Sequence, residues 1–150
     1  MYVADSGNDR IQKFQLVSPC PVGTSQIISG VCYITKWGTL NTANGPSSFP
    51  ADVGVGLSGI LYVTDGESHR VQPFTSTGIA IKEWGSLGSG DGQFYVPFGI
   101  SVDALGYVYV ADFDNFRIQK FLLTPNSCPT GTTQVAFQLC LIAKWGTHVL

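Results

Sequence analysis

This 150-residue chain is short of charge and of helical periodicity. Only 12% of its residues are charged, and eight Lys and Arg against ten Asp and Glu leave a formal net charge of -2. The basic residues are few and scattered, so no basic stripe marks a nucleic-acid partner. No apolar run is long enough to cross a bilayer as a helix. The opening Met1-Tyr2-Val3-Ala4-Asp5 lacks the charged segment and apolar core of a secretory leader. No window of 11 residues carries a convincing apolar period of 3.6, so amphipathic helices are not expected. Gly-x-Ser-x-Gly, His-Glu-x-x-His and phosphate-loop patterns are missing. The Gly-Ser-Gly-Asp-Gly run at residues 88–92 lacks a following Lys and helix, and reads as a turn between repeats.

Hydrophobic residues make up 44% of the chain and aromatics 12%, which is not a disordered composition. Eighteen Gly and eight Pro fall mostly between short runs rich in Val, Ile, Tyr and Phe. That combination predicts many short strands joined by turns, hence an all-β chain. The length suits one domain with a modest core.

One segment recurs three times. It begins Tyr2-Val3-Ala4-Asp5, Tyr62-Val63-Thr64-Asp65 and Tyr109-Val110-Ala111-Asp112. It closes on Arg10-Ile11-Gln12-Lys13-Phe14, Arg70-Val71-Gln72-Pro73-Phe74 and Arg117-Ile118-Gln119-Lys120-Phe121. Each copy is followed by a Trp-Gly pair, at Trp37, Trp84 and Trp145. Tyr62 to Tyr109 spans 47 residues, as does Trp37 to Trp84, whereas Tyr2 to Tyr62 spans 60 and Trp84 to Trp145 spans 61. The unit is therefore 47 residues, and the first and third units carry insertions of 13 and 14 ahead of the Trp-Gly strand. A period in the forties with four short strands, a to d, is that of a β-propeller blade. The units are expected at about residues 1–38, 49–85 and 94–146 of a single domain.

The pattern Phe-x-x-Pro-x-Gly-Ile-x-Val-Asp at residues 94–103, then Gly106-Tyr107-Val108-Tyr109-Val110-Ala111-Asp112, then Arg117-Ile118-Gln119, resembles an NHL repeat. The second unit departs from it, with Asp52 in place of Gly99, Gly56 in place of Asp103 and Pro73 in place of Lys120. The resemblance implies blades of a six-bladed propeller, of which this chain holds roughly half. The first unit begins at strand b, so eleven strands are expected. Two readings follow: a fragment of a longer repeat protein, or two chains that associate to close a ring. The fragment is the preferred reading.

Cys20 and Cys32 flank the insertion of the first unit, and Cys128 and Cys140 that of the third unit, each pair 12 apart in similar surroundings. Zinc ligation would call for close Cys-x-x-Cys spacing, which is absent. One disulfide per insertion, stapling a long c–d hairpin, is the preferred reading. It points to an extracellular or secretory setting.

Asp5, Asp65 and Asp112 recur, as do Arg10, Arg70 and Arg117. A ring of charged ligand contacts would use such residues. Repetition in every unit instead suits a structural role, with each Asp–Arg pair tying the tight loop between them. Positions that differ between units are the candidates for recognition: Asp9, Glu67, His69, Phe113, Asp114 and Phe116 on the b–c loops, and Phe98 at the start of strand a. Packing against a neighbouring unit would explain Phe113 and Phe116 equally well. In propeller geometry these loops share one face with residues 38–49 and 85–96, and the stapled hairpins lie on the other. Some proteins with similar repeats are lyases acting on peptidyl-α-hydroxyglycine through a His-held metal; here only His69 and His148 exist. The chain thus reads as a non-enzymatic module without a cofactor or metal, binding protein or carbohydrate. Two alternatives stand beside it: part of a lyase-like or lactonase-like propeller enzyme, and an RNA-binding propeller.

Overall fold

A computed structural model describes residues 1–38, 49–57, 59–123, 128–136 and 139–146; at residues 37, 38 and 136 it describes the backbone alone. His148 and the loop at residues 39–48 lie outside the described residues. The described chain is built of antiparallel strands in three sheets, one per repeat, the arrangement of propeller blades.

The first sheet holds β1 (Tyr2–Asp5), β2 (Arg10–Leu16), β3 (Ser25–Ile28) and β4 (Val31–Gly38), in the order β1-β2-β4-β3. The second holds β5 (Pro50–Val55), β6 (Leu61–Asp65) and β7 (Arg70–Phe74) in sequence order. The third holds β8 (Pro97–Val102), β9 (Val108–Asp112), β10 (Arg117–Leu123), β11 (Thr133–Ala136) and β12 (Leu139–Trp145), in the order β11-β12-β10-β9-β8. Strands a, b and c of the repeat are β8, β9 and β10, and their counterparts elsewhere fall where the repeat places them.

Strands are distributed differently from the eleven read from the repeat. Each insertion adds an edge strand, β3 or β11, paired outside strand d. The free edge of β4 or β12 offers unpaired backbone groups, and Ser-Gln-Ile-Ile and Thr-Gln-Val-Ala are β-prone segments able to take them. The second sheet has instead lost a regular strand d, which is reduced to bridges pairing Val71 with Trp84 and Phe74 with Ala80. Val71 exchanges both backbone hydrogen bonds with Trp84, so two residues on Pro73 faces the same neighbour without an N–H to donate.

Both disulfides are formed, Cys20–Cys32 and Cys128–Cys140, each with Cα atoms 5.5 Å apart. They tie each insertion back to strand d, where Cys32 and Cys140 are fully buried. The insertion of the third blade does not simply stand away from it. Val135 on β11 packs against Gly92, where an added Cβ would meet its side chain at 2.7 Å.

The core lies between sheets. Ile11 of the first sheet packs with Leu61, Val63 and Phe74 of the second, flanked by Tyr2, Ala4 and Val53. Tyr62, Val71 and Trp84 of the second pack with Phe94, Ile100, Val108, Val110, Phe121, Leu139 and Leu141 of the third. Strands covered on both faces can be apolar on both, which is why their residues do not alternate cleanly. A fully buried side chain such as Phe121 contributes about 1.5–3 kcal/mol by leaving water. The innermost strands run side by side: the position a Cβ would take at Gly54 lies 3.6 Å from the Cα of Ser101.

The glycines after Trp84 and Trp145 also have a packing reason. Gly85 and Gly146 have φ of 108° and 99°. A Cβ on Gly85 would sit 2.8 Å from the carbonyl oxygen of His69, and one on Gly146 would collide with that of Phe116. Among the described residues no helix is long and apolar enough to cross a membrane.

Candidate functional site

The recurring acidic and basic residues form one hydrogen-bonded unit per blade. In the third blade Asp112, fully buried, accepts from Arg117 Nε at 2.6 Å, from the Tyr95 N–H at 2.7 Å, and from the Asn115 and Gln119 side chains. Arg117 also donates to the carbonyls of Ser89, Gly90 and Gln93, and the Gly92 N–H donates to Gln119 Oε1. This unit thereby clamps the segment leading into β8. In the second blade, buried Asp65 accepts from the Ser68 N–H and Arg70 Nε, and Arg70 reaches Glu83 at 2.8 Å. In the first, Asp5 accepts from Asn8, Arg10 and Gln12. Hydrogen bonds from Asn8 and then Arg10 hold the Asp5 carboxyl below its ordinary value, against the opposing pull of desolvation.

The b–c loops are tight. One-turn 3-10 helices at Ser6–Asn8 and Phe113–Asn115 end on left-handed residues, Asp9 at φ 50° and Phe116 at φ 52°. His69, at the same place in the second blade, has φ 54°. Three of the candidates singled out by sequence variation therefore share one strained backbone position. A fourth left-handed residue, Val96 at φ 53°, lies in the segment before β8. A β-branched residue there is an outlier, and such strain gathers at sites where the surroundings over-determine the backbone.

Val96 is held from two sides. Its N–H donates to His69 Nδ1 at 3.1 Å, and its carbonyl accepts the Phe113 N–H at 3.3 Å. Tyr95 packs edge-on to the His69 ring at 5.7 Å, and its carbonyl accepts the Asp114 N–H. These bonds bring the b–c loops of the second and third blades to one face, joined through the segment at residues 85–96. Between them lies a shallow cleft lined by Phe49, Gly66, Glu67, His69 and Val96. A Cβ on Gly66 would come within 3.1 Å of the Phe49 ring, so the cleft floor is tight at this glycine. On the third-blade side Phe98 and Phe113 pair at 6.3 Å while both stay exposed, Phe113 to 62%. Phe116 is exposed beyond them, and Asp114 is half-buried.

The structure thus brings Glu67, His69, Phe98, Phe113 and Asp114 into one neighbourhood. Asp9 stands at the matching loop of the first blade. Phe49, Gly66 and Val96 complete the cleft but do not stand out in the sequence. Their signal is the Phe49-Pro50 and Val96-Pro97 pairing ahead of strand a, which marks a repeat boundary and says nothing of a cleft. Chemically the surface offers aromatic faces, an apolar floor and the Glu67 carboxylate, a set suited to ring stacking and apolar contact. Among the described residues no three His, Cys, Asp or Glu side chains gather as a metal site.

The family description NHL repeat matches residues 91–121, which hold Asp112, Arg117 and the aromatic pair. The chain carries an NHL repeat. The match lies in the third of three sheets arranged as partial propeller blades, two of which carry disulfide-stapled insertions. No curated protein matches the chain. Among solved structures it is similar to selenomethionine-substituted virginiamycin B lyase from Staphylococcus aureus, at 14% identity and a TM-score of 0.47. That match covers 87% of this chain, which spans 52% of the lyase chain.

Proposed function

We propose that residues 1–150 form a non-enzymatic NHL-type binding module whose loop face takes a protein or carbohydrate partner. The observation that carries the reading is the exposed Phe98–Phe113 pair beside the cleft of Phe49, Gly66, Glu67, His69 and Val96. Exposed aromatics that meet each other rather than the core are costly to keep in water, and they commonly mark contact surfaces. The rigid Asp112 unit beneath them presents that surface without a large loss of freedom on binding. The two disulfides fit an oxidising compartment, and the module works in an extracellular setting.

The test compares the chain with its Phe98→Ser/Phe113→Ser variant on arrays of oligosaccharides and extracellular proteins. The reading expects a partner bound by the chain and lost by the variant, with thermal unfolding unchanged. Stoichiometric Zn²⁺ or Ca²⁺ in the purified protein would overturn it in favour of a lyase-like or lactonase-like enzyme. Salt-sensitive RNA capture would overturn it in favour of the RNA-binding alternative.

A further inference from the structure

We infer that the uncovered face of the third blade is built to seat a plain, cysteine-free blade like the second, and not another blade carrying an insertion. Blades 1 and 3 are of one kind: Tyr2, Ala4 and Ile11 correspond to Tyr109, Ala111 and Ile118, and both kinds of insertion are stapled. Blade 2 is of the other kind, with Thr64 in place of the Ala and no insertion. The face that blade 1 turns towards blade 2 is covered by Leu61, Val63 and Phe74, and Ile11 is fully buried there. Among the described residues no strand packs on the same face of blade 3: Ile118 is 38% exposed, and Trp145 is 51% exposed where its counterpart Trp84 is 6%. Ala111, Phe116, Ile118 and Trp145 line an apolar hollow on it.

Polar links decide which blade fits. Besides the His69–Val96 bond, blade 2 meets blade 3 through two of them. Asp52 Oδ2 accepts the Ile100 N–H at 3.0 Å, and Thr64 Oγ1 donates to the Phe98 carbonyl at 2.6 Å. A blade with an insertion thus relies on the blade before it to satisfy the backbone at the start of its innermost strand. Blade 3 has Gly99 and Ala111 at those two positions, and neither side chain can make such a bond. A plain blade has no such need at this N–H, although the Pro50 carbonyl at the start of its innermost strand accepts from Ser6 Oγ of the blade before it at 2.6 Å. In blade 2 the equivalent donor, the Val53 N–H, bonds to its own neighbour's Asp52 Oδ1 at 2.8 Å. A largely apolar face with Gly and Ala at these two positions therefore suits a blade that carries its own aspartate at this N–H, and it leaves unmet the same N–H of one that does not. The interfaces thus encode an alternation of plain and inserted blades.

The test joins Gly146 to a second copy of residues 39–85, or, separately, to a second copy of residues 86–146. The plain extension is expected to raise Tm by about 5 °C or more and to leave the protein monomeric by sedimentation. The inserted extension is expected to leave Tm within about 2 °C of the parent, and to gain the rise only when Gly99→Asp and Ala111→Thr are added. The Gly99 site has room for this, since an added Cβ meets only the Ala111 Cβ at 3.7 Å. Equal stabilisation by both extensions of the unaltered chain would overturn the proposal. So would a sharp dimer of the unextended chain, which would assign the face to a second copy. Should neither extended chain fold, Asp52→Ala in the parent decides: the proposal requires a lower Tm, and an unchanged one removes its basis.

Discussion

The N–H of Val96 donates to Nδ1 of His69 at 3.1 Å, so a residue on the b–c loop of one blade fixes the segment that leads into the next. Both residues sit in the left-handed region, each a conformation that a bulky side chain avoids. The bond fixes Nδ1 as the acceptor of the imidazole and leaves Nε2 to carry the proton.

Replacing His69 is expected to cost more than its partial exposure suggests. His69→Ala removes the acceptor and leaves the part-buried Val96 N–H unpaired, a loss of about 1–2 kcal/mol. His69→Asn keeps a side-chain acceptor and tolerates the left-handed backbone, and is expected to recover part of the loss. Urea unfolding of the three proteins checks this. An unchanged midpoint in His69→Ala would show that the bond contributes nothing.

The three Asp–Arg units share one pattern and differ in depth, which predicts a graded series. Asp112→Ala leaves Arg117, whose side chain is 8% exposed, without its counter-charge, and is expected to cost about 3–5 kcal/mol. Asp65→Ala strands Arg70 in the same way, although Glu83 remains as a second partner, so a smaller loss is expected. Asp5→Ala acts on a pair open to water and should move the unfolding midpoint far less. Equal losses at Asp5 and Asp112 would contradict the ordering.

The repeat was legible in the sequence because its residues answer to local demands. Tyr-Val-x-Asp and Arg-x-Gln mark adjacent strands whose register pairs Asp112 with Arg117 and Asp65 with Arg70. The insertions were legible as stapled units, but not as edge strands, because a short polar-apolar segment pairs only when a free edge lies beside it. The loss of strand d in the second blade had a visible cause in Pro73, yet its effect depends on which way that residue faces. The cleft was only half legible. Glu67 and His69 vary between units and so stood out, whereas Phe49, Gly66 and Val96 come together only when separate repeats stack. Asp9, His69 and Phe116 have no chemistry in common; a shared φ unites them.

The two disulfides are expected to act on the outer blades. Each closes a loop of 12 residues, and opening one is expected to cost about 2–3 kcal/mol by freeing the unfolded chain. Cys128→Ser/Cys140→Ser should be the more damaging pair. Its insertion packs Val135 onto the interface between the second and third blades, whereas Ile27 and Ile28 of the first insertion remain exposed. Scanning calorimetry of both double variants and of the reduced protein measures the order. A reduced protein as stable as the oxidised one would remove the staples from the account of stability.

Acid should weaken the third blade through Asp103. Desolvation pushes this carboxyl up, but it is outweighed by the N–H groups of Tyr107 and Leu105, the Tyr109 hydroxyl and the charge of Lys120, so the net shift is downwards from 3.8. The N–H bonds are 3.0 and 2.9 Å and the hydroxyl bond 2.9 Å. Because the folded value lies below the unfolded one, the stabilisation is complete above the ordinary carboxylate range. It is lost as pH falls from there through the lowered folded value. Asp103→Asn keeps a side-chain oxygen for the turn and cannot ionise, so its Tm should fall less steeply than that of the parent below about pH 4. Lys120 works at the other end. Its ammonium lies 3.8 Å from the Tyr107 ring centroid, and its pKa is raised above 10.5, first by the Tyr109 hydrogen bond. Its share of stability is therefore present through neutral pH and is lost only in strong alkali, so it cannot mask the acid limb. Parallel Tm–pH curves for the parent and Asp103→Asn below pH 4 would show that the turn carboxylate does not couple to folding.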